Sequence, residues 1–158
     1  MTKSRKSETD IFSRRAVVEL RARLNRLDIV SEAETAGLEL FMEAAVAAAM
    51  IIAYADGNAD PSERRRIIAL FRAEPRLQGF SADDVAREID AHDHAFALDH
   101  ASAISHARAR IVMSDMTNAQ FRAVIELCVS VLEADGVRHP AEEEALAGIS
   151  SMRPWGYR

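Results

Sequence analysis

The stretch "YADGNADPSERRRI" at residues 54–67 returns in outline as "EADGVRHPAEEEAL" at 133–146, 79 positions further on. Each copy carries Ala-Asp-Gly, then a proline, then a glutamate at the same spacing: Asp56, Gly57, Pro61 and Glu63, and Asp135, Gly136, Pro140 and Glu142. Glycine ends a helix readily because it has no Cβ to oppose a left-handed residue, and proline opens one because its missing N–H would be unbonded there anyway. The preceding runs, "MEAAVAAAMIIA" and "FRAVIELCVSVL", are long apolar helix formers. The chain therefore contains two copies of helix, acidic turn, helix. Two units are too few for a solenoid and point to an internal pseudo-twofold.

Helical periodicity extends the pattern to about seven helices in one all-α domain. Val17, Leu20, Leu24 and Leu27 form an apolar stripe on a first helix over residues 11–28. Ser31 with Glu34 caps the alanine-rich second helix, which runs to Tyr54 and is expected at the centre. The third starts at Asp60 and Pro61, with Ile67, Leu70 and Phe71 inward, and ends near Glu74. Ser81 with Asp84 caps the fourth, and Phe80 and Val85 staple it. A break near Asp99 separates it from a fifth that ends near Ser114. Thr117 with Gln120 caps a sixth, striped by Phe121, Val124, Ile125, Cys128 and Leu132, and Pro140 opens the seventh. With 6 Gly and 4 Pro in 158 residues, the chain lacks the turn formers of an all-β fold. The organisation expected is a basic segment with the first helix at 1–30, the helical domain at 31–152 and a tail at 153–158.

Charge divides the same way. Residues 1–30 hold 8 Lys/Arg against 4 Asp/Glu, while the remainder holds 12 against 21. The basic head suits weak contact with an anionic membrane surface, but an acidic body without interleaved aromatics argues against nucleic acid. No apolar stretch is long enough to span a bilayer, and the single cysteine, Cys128, sits in an apolar run, so a cytoplasmic protein without an internal disulfide is expected.

The acidic turns are the strongest functional signal. Glu63 and Glu142 are explained as capping-box carboxylates, but Asp56 and Asp135 fall in the last turn of their helices, where the macrodipole opposes an anion by roughly 0.3–1 kcal/mol. A hard divalent cation, Ca2+ or Mg2+, would gather such carboxylates. Asp-Gly-x5-Glu matches the second half of an EF-hand loop, but Ile52 and Tyr54, or Val131 and Glu133, stand where the first half needs Asp or Asn, so an ordinary EF-hand is excluded. The candidate metal ligands are Asp56, Asp60, Glu63, Asp135 and Glu142, with Asn58 as a carbonyl donor; His139 replaces an aspartate in the second copy. The competing reading makes the turns structural caps balanced by Arg64, Arg65, Arg66 and Arg138.

In "AYADGNADPSE" and "LEADGVRHPAEEE", with the apolar helix before each, the chain resembles the tellurite-resistance TerB family over about residues 35–150. The resemblance implies a seven-helix fold with an acidic metal site at Asp56, Glu63, Asp135 and Glu142. It also implies a role in resistance to tellurite and other chemical stress, through cytoplasmic complexes with membrane-associated protein partners.

Other motifs carry less. "DAHDHAFALDH" supplies His92, His94 and His100, but without a zinc-type spacing it reads as a solvated helix face with partly buried histidines. The chain has no phosphate-cradling glycine loop or dinucleotide fingerprint, so catalysis is not expected. The expectation is a non-catalytic stress-response domain that binds a divalent ion and protein partners; the alternative is a metal-free helical adaptor. Trp155 in "RPWGYR" reads as a latch over the chain's own core.

Overall fold

The computed structural model describes Val18, Glu19 and residues 32–154. The expected first helix, apart from Val18 and Glu19, lies outside the described residues, as do the Ser31 cap and Trp155. Over the described residues from 32 onward, six α-helices follow in order: α1 (Glu32–Ala53), α2 (Pro61–Ala73), α3 (Ala82–Leu98), α4 (His100–Met113), α5 (Asn118–Glu133) and α6 (Pro140–Ser150), with a 3-10 turn at Pro75–Leu77. Among the described residues there is no strand.

Local chemistry sets the boundaries. Asp60 bonds the Ser62 N–H at 2.7 Å and receives Glu63 at its own N–H, which starts α2. The Ser81–Asp84 and Thr117–Gln120 boxes start α3 and α5 in the same reciprocal way. Asp99 closes α3 and, by accepting from the Ser102 N–H, opens α4, so one residue makes the break between them. α6 has proline at its first position but no side-chain bond from its N-cap, His139. The substitution of His139 for the Asp60 of the first copy removes that cap.

α1 is the hub. From Phe41 to Ala53 every residue except Glu43 is buried, and α1 packs against α3, α4, α5 and α6. Ala44, Ala45, Ala47, Ala48, Ala49 and Ala53 keep its surface slim, so four helices approach it closely while Phe41, Met42, Met50 and Ile52 fill the gaps. Each such large side chain contributes on the order of 1.5–3 kcal/mol by burial. The two helix–turn–helix units interlock: α1 and α2 both pack on α5, and α6 packs on α1 and α5. This exchange brings the two acidic turns toward one another.

Candidate metal centre at the paired acidic turns

Each turn is built alike. After α1 the chain tightens through i to i−3 bonds, from the Ala55 N–H to Ile52 O and from the Gly57 N–H to Tyr54 O, both at 3.0 Å. After α5 the Ala134 N–H bonds Val131 O and the Gly136 N–H bonds Glu133 O. Gly57 and Gly136 take φ values of +111° and +73°, which side chains disfavour. Asp56 Oδ1 then accepts from the Asn58 N–H at 3.3 Å, and Asp135 Oδ1 from the Val137 N–H at 2.8 Å. Both aspartates stand just beyond the helix ends at Ala53 and Glu133, not inside the last turn as the sequence suggests. They remain at the negative pole, and their side chains organise the exit.

The glutamates lie at the other side of each turn. Glu63 Oε2 accepts from the Asp60 N–H at 2.6 Å, and Glu142 accepts from the backbone of His139. Burial holds the Glu63 carboxyl above the usual range, opposed by its bond to Asp60 and reinforced by Asp56, Glu142 and Asp60. Burial likewise raises Glu142, opposed by the backbone and ring of His139 and reinforced by Asp135 and Asp56. Carboxylates from both copies therefore act on one another across the interface. Asp60 differs: its hydrogen bonds with Ser62 hold it low, against slight desolvation and aided by Arg65 and Arg66.

Glu142 is the most enclosed of the five, with 6 % of its surface exposed, and its Oε2 is buried without a hydrogen-bond partner. A buried, unmatched carboxylate oxygen is costly and is the kind of atom a cation satisfies. The fit is incomplete. Among the described residues, no three His, Cys, Asp or Glu side chains are arranged so as to hold a metal ion directly. Asp56, Asp60 and Asp135 are exposed and Glu63 is half-buried, and the charges of Asp56 and Glu142 act on Glu63 as those of Asp135 and Asp56 act on Glu142.

Arg64 does not neutralise its own turn, as the structural reading expects it to. Arg64 reaches α3, where it pairs with Asp90 and, at 3.0 Å, with Asp93. Asp93 also accepts from the Tyr54 hydroxyl at 2.8 Å, and the Tyr54 ring stacks on Phe96 at 4.1 Å between centroids. Arg138 pairs with Glu133 at 2.7 Å and Glu143 at 3.7 Å. Arg65 and Arg66 act on Asp60 at longer range only. Among the described residues, no arginine or lysine forms an ion pair with Asp56, Glu63, Asp135 or Glu142.

The sequence did not reveal the Tyr54–Asp93–Arg64 network, because Asp93 sits 39 residues from Tyr54 and only the packing of α3 against α1 and α2 joins them. The spacing of Tyr54 directly before Ala-Asp-Gly was the available signal. The histidines spread apart: His92 is buried, with burial and Arg110 depressing its pKa to about 4, while His100 lies edge-on to Phe96. Among the described residues, no helix is long and apolar enough to cross a membrane.

Residues 42–152 match the family described as Tellurite resistance protein TerB. No curated protein and no solved structure matches the chain.

Proposed function

The chain belongs to the tellurite resistance protein TerB family, and from that premise we propose that it is a non-catalytic domain of a tellurite and chemical stress response. In this reading it captures a divalent cation between its two acidic turns and engages protein partners from the cytoplasm. The observation that carries the proposal is Glu142, whose Oε2 is buried and unpartnered while carboxylates from both copies raise the cost of charging the pair of glutamates. Asp56, Glu63, Asp135 and Glu142 hold the ion through the waters it retains, with Asp60 at the rim. The bound ion supplies positive charge that relieves their mutual repulsion. Because no three of the carboxylates are placed to hold an ion directly, an ion that keeps part of its water shell, as Mg2+ does, suits the site as well as Ca2+.

A metal-free adaptor is the second reading. It is favoured by the backbone hydrogen bonds that Asp56, Asp60, Glu63 and Asp135 already accept, which make the turns stable in their own right. Titration with Ca2+, Mg2+ and Zn2+, followed by amide shifts and thermal unfolding, separates the two. At ten times its Kd an ion bound to the native state alone adds about 1.4 kcal/mol. Asp56→Asn combined with Asp135→Asn abolishes that gain while keeping both side-chain oxygens as acceptors for the turns. Absence of any response at millimolar ion establishes the adaptor.

A further inference from the structure

The pseudo-twofold leaves one place in the molecule unfilled. In the first copy α5 and α3 each pack on both α1 and α2. In the second, α1 packs on both α5 and α6, as the twofold requires, but among the described residues no helix packs on that pair as α3 packs on α1 and α2. Residues 79 apart correspond between the copies. Met50, Ala53, Ile67 and Phe71 of the first are all buried. Their counterparts Val129, Leu132, Leu146 and Ser150 line a groove of about 430 Å³ between α5 and α6, where Leu132 is buried, Val129 and Leu146 are half-buried and Ser150 is exposed.

The polar groups repeat the contrast with the sign reversed. α3 offers Asp90 and Asp93 to Arg64, and Asp93 to the Tyr54 hydroxyl. The positions matching Arg64 and Tyr54 are Glu143 and Glu133, whose side chains are about half exposed and share one guanidinium, that of Arg138 at the groove's edge. Asp135 and Glu144, next to them in the chain and exposed, add further negative charge. An apolar groove with an acidic rim takes an amphipathic helix with a basic flank.

We propose that the α5–α6 groove docks a helix of a partner protein in the manner of α3 on the first copy, with apolar anchors four residues apart and two Lys or Arg, three apart, directed at Glu133 and Glu143. The spacing is that of α3 itself, where Val85 and Ile89 are buried and Asp90 and Asp93 meet Arg64, with the charges inverted. The proposal gives a surface to the partner engagement proposed above and rests on that part of the reading, not on the cation.

The probe is a synthetic peptide of residues 82–98 carrying Asp90→Lys and Asp93→Lys, and the control is the same peptide unaltered. Each is added in EDTA to the full chain carrying Ser150→Cys, whose thiol reports on the groove through its rate of reaction with a soluble maleimide, while Cys128 is fully buried. At saturation the lysine peptide should slow labelling at least about fivefold, and the unaltered peptide should bind at least about tenfold more weakly. Glu143→Lys, at a half-exposed side chain, should reverse that preference. Equal binding of the two peptides, or protection by neither, overturns the proposal. So does slow labelling of the dilute protein without peptide, which would mean that the chain covers its own groove. Protection that grows with protein concentration alone overturns it too, by giving the groove to a second copy. If the ion titration responds and the peptide does not bind, the partner half of the functional reading falls and the cation half stands.

Discussion

The carboxylate of Glu142 acts on that of Glu63, 79 positions away in the chain, and raises the cost of its ionisation. The two residues are the closing glutamates of the duplicated turns. That relationship gives the first prediction. Both carboxyls are raised by burial first and by like charge after it. A raised acid contributes stability that is complete below the ordinary glutamate range and is lost as pH climbs through the raised value. At pH 7 without divalent ion, Glu142→Gln should therefore be more stable than the wild type by about 0.5 kcal/mol, or 1–2 °C in Tm. The advantage should shrink as pH falls through the ordinary glutamate range and vanish by about pH 3, where both glutamates are neutral in either state. Thermal scans in EDTA at several pH values check this; a variant that is less stable at pH 7 contradicts it.

Tyr54→Phe removes one hydrogen bond to Asp93 and leaves the stack on Phe96 in place. The expected loss is about 1 kcal/mol by urea unfolding. Burial, with the bond and charge of Asp93, lifts the Tyr54 pKa to about 12. The corresponding stability is present below pH 10 and is lost as pH rises toward about 12. The substitution should delete a late phase from the phenolate absorbance titration.

The two turn glycines should differ. No heavy atom lies within 4 Å of a Cβ built at either position, so substitution is opposed by backbone strain alone. Gly136, at φ +73°, should accept Asn nearly neutrally and Ala at a loss of about 1 kcal/mol. Gly57, at φ +111°, lies further from the left-handed helical region, and both Ala and Asn should cost about 2 kcal/mol there. Denaturant midpoints of the four variants measure this directly.

Cys128 lies on α5's apolar face, fully buried in the core, and burial lifts its thiol to about 12. Native protein should resist thiol reagents at pH 8, and the labelling rate should track the fraction unfolded as urea is added. Rapid labelling without denaturant would mean that α5 is not seated as described.

Much of the fold was written locally. Asp60 with Glu63, Ser81 with Asp84, and Thr117 with Gln120 mark helix starts through bonds that span only three residues, so a linear reading finds them. The stripes of α2 and α5 were legible for the same reason, because their period is intrinsic to the helix. What escaped was set by packing. Arg64 was expected to neutralise its own turn, yet α3 offers it Asp90 and Asp93. Asp56 and Asp135 were placed inside their helices, because sequence shows where a helix can end but not that the chain will tighten two or three residues early. The acidic character of the candidate site was readable; the enclosure of Glu142, which depends on how α6 meets α1 and α5, was not.

The Tyr54–Asp93–Arg64 lattice has a mechanical corollary. It bolts the earlier of the two turns to α3, whereas residues 133–140 are exposed throughout and Arg138 finds its partners only within that same stretch and the start of α6. One turn is thus fastened to a helix outside its own repeat, while the other is held through its own flanks. Mutations that loosen α3 should therefore displace the earlier turn and leave the later one where it is.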